Sequence, residues 1–180
     1  MERISKGFWI WCEFTESDSA FLSGISNSVQ KILKGPSFDL HLTLAGPFNN
    51  INESSISNIV KVCQNHSCIK VNPLKYKYKN DFFESFYIPI ENSEKLIGLR
   101  NSIYRAIRSN ALHDFYPHIS LSYGTHEKHM KEDLISKLVA IKKTITIDKV
   151  TIVDVNEDIF MWKPLEKIAL NANLKYNLFI

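Results

Sequence analysis

The sequence predicts an α+β fold that is bilobal, with two pseudo-symmetric lobes, each an antiparallel sheet with outer helices, around a central cleft. Three observations lead there. Strand-like and helix-like stretches alternate in the order strand–helix–strand–helix–strand, and that order occurs twice. A short apolar strand bearing one histidine lies at the centre of each copy. The two histidines are 77 residues apart, at 41 and 118, and the first strands of the copies begin at about 7 and 83, nearly the same offset. At 180 residues the chain has a single-domain length and can bury a sizeable core. One domain is expected over 1–180, with lobe-forming repeats at about 7–79 and 83–155 and a closing strand at about 165–172.

In order, residues 7–14 are aromatic and β-prone, with Phe8, Ile10, Cys12 and Phe14 on one face and Trp9 and Trp11 on the other. Ser17 and Asp18 offer an N-cap to a helix carrying Phe21, Leu22, Ile25, Val29, Ile32 and Leu33 at helical spacing, which Gly35-Pro36 ends. The His41 strand stops at Gly46-Pro47. Asn52-Glu53 opens a second helix with Ile56, Ile59, Val60 and Cys63 inward. Residues 68–79 read as a strand interrupted by proline. The second copy has an aromatic strand at 83–90, then a helix capped by Ser93 with Leu96, Leu99, Ile103 and Ile107 inward. The His118 strand follows, then a helix at about 127–142 using Met130, Leu134, Leu138 and Ile141, and a strand at 144–155. An apolar tail, Asn177-Leu178-Phe179-Ile180, closes the chain.

Apolar residues at 44% and charged residues at 23% are ordinary for a soluble globular protein. A net charge of +3 suits a phosphate-bearing ligand but is too weak for bulk nucleic-acid coating. The three cysteines, Cys12, Cys63 and Cys68, read as buried thiols of a reducing compartment, not a disulfide frame. Met1-Glu2-Arg3-Ile4 does not read as a signal peptide, and no apolar run is long enough to span a membrane. A cytoplasmic protein without membrane association, acting as a monomer, is expected.

The chemistry lies in Phe38-Asp39-Leu40-His41-Leu42-Thr43-Leu44-Ala45-Gly46-Pro47-Phe48 and Tyr116-Pro117-His118-Ile119-Ser120-Leu121-Ser122-Tyr123-Gly124. Strand side chains alternate faces, so His41 and Thr43 point one way while Leu40, Leu42 and Leu44 point the other. His118 and Ser120 likewise oppose Ile119 and Leu121. Among six histidines about one H-x-[ST] arises by chance, so the bare tripeptide is weak. What distinguishes these two is apolar flanks, a glycine stop and equivalent places in a repeated plan, which His66, His113, His126 and His129 lack. Facing lobes would bring two imidazoles and two hydroxyls around one small volume. One imidazole can take a proton while the other gives one, and the hydroxyls can donate to non-bridging oxygens, a set suited to in-line displacement at phosphorus. Thr and Ser are poor Zn²⁺ ligands, and no third His, Cys or carboxylate accompanies either motif, so neither metal nor cofactor is expected.

His41-Leu42-Thr43-Leu44 with Gly46-Pro47-Phe48, and Pro117-His118-Ile119-Ser120-Leu121 with Tyr123-Gly124, resemble the two motifs of the two-histidine (2H) phosphoesterases. Within that superfamily the chain looks most like the small cyclic phosphodiesterases of plants and yeasts, a resemblance that includes the Phe8-Trp9-Ile10-Trp11 start. It implies His41 and His118 as the shared acid and base and Thr43 and Ser120 as phosphate-binding residues. The implied reactions are hydrolysis of nucleoside 2′,3′-cyclic phosphates to 2′-phosphates and of ADP-ribose 1″,2″-cyclic phosphate to ADP-ribose 1″-phosphate, without a metal. Which histidine is the base is left open. Trp11 and Tyr123 fall where the resemblance suggests aromatic substrate contacts, although strand alternation puts Tyr123 opposite His118 unless the chain bends before Gly124. The expected partner is a small nucleotide. The alternatives are 2′–5′ linked or cyclic oligonucleotides or RNA ends, or a non-catalytic nucleotide-binding module. Lys75-Tyr76-Lys77-Tyr78-Lys79 reads as an edge strand with a solvated Lys face, and Arg100, Arg105 and Arg108 as the wet side of their helix.

Overall fold

The computed structural model describes residues 6–109, 114–155 and 158–171. In chain order it contains β1 (Phe8–Phe14), α1 (Glu16–Leu33), β2 (Leu42–Phe48), α2 (Glu53–Gln64), β3 (Ile69–Val71) and β4 (Lys77–Tyr78). There follow β5 (Phe86–Pro89), α3 (Glu94–Ile107), β6 (His118–Ser122), α4 (Lys128–Lys137), β7 (Ile145–Asp154), a 3-10 turn at Ile159–Met161 and β8 (Lys163–Ala169). The doubled strand–helix order is present, in a bilobal α+β fold. His113 and the apolar tail at 177–180 lie outside the described residues.

The strands run in the order β3-β7-β1-β2-β6-β5-β4, with β8 on β7, and the named pairs are antiparallel. The two His strands meet at the centre through Leu42 and Ile119, where one lobe joins the other. Strands cross between the repeats. β7, the last strand of the second copy, pairs with β1, while β4, from the end of the first, pairs with β5. The helices cross as well: α1 packs on β6 and α3 on β2. Each His strand is thus backed by the first helix of the other repeat, burying Leu22, Ile25 and Val29 on one side and Leu96, Leu99 and Ile103 on the other. Leu42, Leu44, Ile119 and Leu121 sit in the same core, leaving the opposite strand face for the cleft.

Each His strand carries an extra residue just past its hydroxyl. Trp11 faces Thr43 but Ile10 faces Ala45, and Tyr87 faces Ser120 but Phe86 faces Ser122, so a β-bulge follows Thr43 and another follows Ser120. Side chains from the opposite repeat engage the backbone there: Ser26 Oγ and Gln30 Nε2 donate to the Leu121 carbonyl, and Gly46 N–H donates to the Tyr104 hydroxyl.

Several elements differ from the sequence reading. α1 starts a few residues earlier, after Thr15 in place of Ser17 or Asp18, because the Asp18 carboxylate is occupied elsewhere. It accepts from Lys142 Nζ (2.8 Å), Thr146 N–H (2.8 Å) and Thr15 Oγ1 (3.1 Å), and so ties α1 to the approach of β7. α4 ends at Lys137, where the backbone of Leu138 turns extended; residues 138–142 run outside the helix, with Leu138 and Ile141 still packed on the core and Lys142 reaching Asp18. The stretch 68–79 splits at Pro73 into β3 and β4, which lie at opposite ends of the strand order. Lys75, Lys77 and Lys79 are exposed with Tyr76 and Tyr78 half-buried, as an edge strand requires. Arg100 is not on a wet face. It is 7% exposed, its guanidinium 4.8 Å from both the Tyr104 and Phe115 rings, because α3 buries that side against the segment leading into β6.

Gly35 sits where α1 ends against β6, and a Cβ there would come within 2.3 Å of the Tyr123 carbonyl and 2.7 Å of Ser122 Oγ. Gly24 lies mid-helix with open space around it. Gly35→Ala is therefore expected to destabilise by about 1–3 kcal/mol through overpacking, and Gly24→Ala to stabilise by about 1 kcal/mol through helix propensity. Urea unfolding midpoints measure both, and the two should move in opposite directions.

Candidate active site

The strand face opposite the core carries a cavity of about 220 Å³ that draws on both repeats. His41, Thr43, His118 and Ser120 all line it, together with Trp9, Trp11, Asp81, Phe83, Glu84, Tyr123, Val155 and Trp162. A larger concavity, about 520 Å³ along the polar side of α1, holds neither histidine of the pair. The cavity with the imidazoles is the candidate site, because titratable and hydroxyl groups converge there on aromatic walls.

Both imidazoles are held alike. The Nδ1 of His41 lies 2.6 Å from the Asp39 carbonyl and that of His118 lies 2.9 Å from the Tyr116 carbonyl, each two residues back along its own chain. A carbonyl can only accept, so each Nδ1 carries the proton and each Nε2 is left for chemistry. The residue opposite each hydroxyl supplies an aromatic partner. Trp11, across from Thr43, stacks on His41 at 3.7 Å between ring centres and 7° between planes. Tyr87, across from Ser120, meets His118 edge-on at 5.2 Å.

The surroundings of the two rings differ. His41 is only 6% exposed, and burial pushes its pKa down from 6.5 to about 4. The Asp39 carbonyl opposes that shift, the nearby His118 adds to it, and the Glu13 carboxylate opposes it again. His118 is half-buried. Ser120 Oγ donates to the Phe83 carbonyl at 3.1 Å, whereas no hydrogen bond among the described residues engages the Thr43 hydroxyl.

Tyr123 is both core-packed and in the cavity. The bulge after Ser120 shifts the alternation by one residue and returns Tyr123 to the Ser120 side, the bend that strand counting required. It stacks on Phe38 at 3.8 Å and is met edge-on by Phe83 at 5.4 Å and Trp162 at 6.1 Å. Burial raises its phenol pKa, keeping it a neutral donor, with a hydrogen bond involving Ser120 opposing the shift. His66, His126 and His129 do not line the cavity. Among the described residues no three His, Cys, Asp or Glu side chains converge as metal ligands, and no helix is long and apolar enough to cross a membrane.

A family model described as the 2′-5′ RNA ligase superfamily matches residues 36–159, more than half of the chain and both His strands. The chain belongs to that superfamily. This is the 2H phosphoesterase group that the paired motifs resemble. Comparison with the curated proteins gave no match. Solved structures with a similar fold include Escherichia coli LigT in its apo form (15% identity, TM-score 0.59) and complexed with 3′-AMP (13%, 0.61). The TT0787 protein of Thermus thermophilus is also similar (15%, 0.62), and each of the three covers 93% of this chain and 99% of its own.

In this superfamily member the paired motifs meet at one cavity, and Trp11 and Tyr123 stand there with them. Motif reasoning did not single out Trp9, Phe83, Asp81, Glu84, Tyr87 and Trp162 as site residues. Tyr87 was recoverable, since it stands to Ser120 as Trp11 stands to Thr43 and the repeat offset carries one onto the other. Trp162 had no such signal: it follows the 3-10 turn outside both repeats and reaches the cavity only through tertiary contact, 5.6 Å edge-on from Trp11.

The burial of His41 is testable directly. Histidine NMR titration of the free protein is expected to give a pKa near 4 for His41. In Trp11→Ala, which opens the ring to water, that value should rise toward 6.5. A wild-type value at the ordinary position would contradict the buried geometry.

Proposed function

We propose that this protein is a metal-independent cyclic phosphodiesterase. It converts nucleoside 2′,3′-cyclic phosphates to 2′-phosphates, with ADP-ribose 1″,2″-cyclic phosphate, opened to ADP-ribose 1″-phosphate, as a second substrate of the same class. The observation that carries this reading is the pair of imidazoles, each locked by its own backbone with Nε2 available, lining one cavity beside two hydroxyls. Family membership supports phosphodiester chemistry of this kind. The plant- and yeast-type branch is the one whose motif pair the sequence resembles. The mononucleotide class accords with the 3′-AMP held in one of the similar LigT structures. A cavity of about 220 Å³ lies below the roughly 300–1,000 Å³ usual for ligand pockets, which suits the cyclic-phosphate ribose of either substrate, with any further part of a larger substrate lying outside it.

In the proposed reaction His41, neutral because it is buried, takes a proton from water as the oxygen attacks phosphorus. The bond from phosphorus to the ribose 3′ oxygen breaks, and His118 in its protonated form delivers a proton to that oxygen, leaving the phosphate on the 2′ oxygen. The Thr43 hydroxyl donates to a non-bridging oxygen, and Ser120 does the same once it releases the Phe83 carbonyl. General acid and base catalysis each contribute typically ~100- to 10,000-fold, enough for a strained five-membered ring. Trp11 and Tyr123 flank the sugar and base.

Incubation with 2′,3′-cyclic AMP in EDTA, followed by phosphorus NMR, is expected to show the 2′-phosphate as product. His41→Ala and His118→Ala should each lower kcat/KM by about 100- to 10,000-fold with folding intact; full activity in either would refute the assignment. Because His41 must be unprotonated, kcat/KM should climb as pH rises through about 4, a limb well below that of a free imidazole. Efficient turnover of 2′–5′ linked oligonucleotides with none of mononucleotides would favour the other branch of the superfamily.

A further inference from the structure

Apart from the imidazoles, the described residues lining the cavity include two ionisable carboxylates, Asp81 and Glu84, and no lysine or arginine. Glu84 is paired with Lys79. Asp81 is held differently. Its Oδ1 accepts from the backbone N–H groups of Phe83 (2.9 Å) and Glu84 (3.2 Å), which caps the turn before β5 and fixes the carboxylate at the cavity wall. No described hydrogen bond or ion pair engages its Oδ2. Beside it the Phe83 ring stacks on Trp162 at 6.3 Å and 23° and meets Tyr123 edge-on. These faces suit a flat heteroaromatic ring.

A carboxylate repels a phosphate, so with the phosphate held by the imidazoles and hydroxyls the group left to meet Asp81 is the base. An acceptor-only group discriminates sharply among bases. Guanine presents two adjacent donors, N1–H and N2–H, and both can be directed at the one oxygen, Oδ2, that the turn leaves unengaged. Adenine and cytosine set their amino group beside a ring-nitrogen acceptor, and uracil flanks its single N–H with two carbonyls, so each puts a lone pair against the carboxylate. We infer that Asp81 is a specificity-determining residue that reads the Watson–Crick edge of guanine, making this a guanine-preferring site. The inference rests on the nucleotide reading of the cavity given above.

The test compares guanosine and uridine 2′-monophosphates by calorimetric titration, alongside hydrolysis of the matching 2′,3′-cyclic compounds. Wild-type protein should bind the guanosine compound about tenfold or more tightly. Asp81→Asn keeps an oxygen for the turn N–H groups but turns the other position into a donor, so the guanosine-to-uridine ratio should fall toward one. Asp81→Ser, which can also cap the turn, is the second variant if Asp81→Asn fails to fold. Equal affinities in the wild type, an unchanged ratio in the variants, or binding of neither nucleotide would each overturn the inference. Guanine-selective binding without hydrolysis would overturn the proposed reaction and leave this inference standing. Hydrolysis of both cyclic compounds at equal efficiency would do the reverse.

Discussion

The pairing of Leu42 with Ile119 is the contact on which the cavity depends. It is the point where two lobes become neighbours in one strand order, and the residues beside it in sequence, His41 and His118, come with it. Because strand side chains alternate, burying the two apolar residues on the helix side presents imidazole and hydroxyl on the other. The core and the site are therefore two faces of the same short strands. Their backing is exchanged between repeats: α1 covers β6 and α3 covers β2. Each His strand pairs with a strand of its own repeat but takes its helix cover from the other, which couples the integrity of both halves to the geometry at the centre.

Around that junction the pseudo-symmetry extends to hydrogen bonds and bulges. Each imidazole is tied to the carbonyl two residues back, each hydroxyl is followed by a bulge, and each hydroxyl faces an aromatic side chain on the neighbouring strand. Symmetry breaks in the packing. An indole lies flat on His41, while a phenol meets His118 by its edge. One ring is consequently much less hydrated than the other, and desolvation disfavours its charged form. Burial thus holds His41 neutral, the form that the proposed reaction needs in its base.

The aromatic wall has a different origin from the motifs. Phe38, Phe83, Tyr123 and Trp162 come from four separate segments and are held mainly by contact with one another. Flat, apolar surfaces gain affinity for a base without fixing its identity, so discrimination falls to the polar group at their edge. Asp81 occupies that place because a turn before β5 needs a cap, and the cap is a carboxylate.

Much of this was legible in the letters. The doubled order of elements, the caps at Asn52 and Ser93, the inward faces of the helices and the shared face of each His–hydroxyl pair depend on periodicity and local hydrogen bonding, which neighbouring residues decide among themselves. The lost points share one cause, competition from distant partners: Asp18 left its capping role for Lys142 and Thr146, Arg100 turned inward to Tyr104 and Phe115, and Tyr123 changed face at a bulge visible only against Phe86 and Tyr87. By itself the sequence determined which imidazole and hydroxyl share a strand face in each copy. Tertiary structure alone decided that they share one cavity, that one imidazole is drier than its twin, and that Asp81 and Trp162 stand beside them, because those outcomes depend on strand crossings and burial between segments remote along the chain.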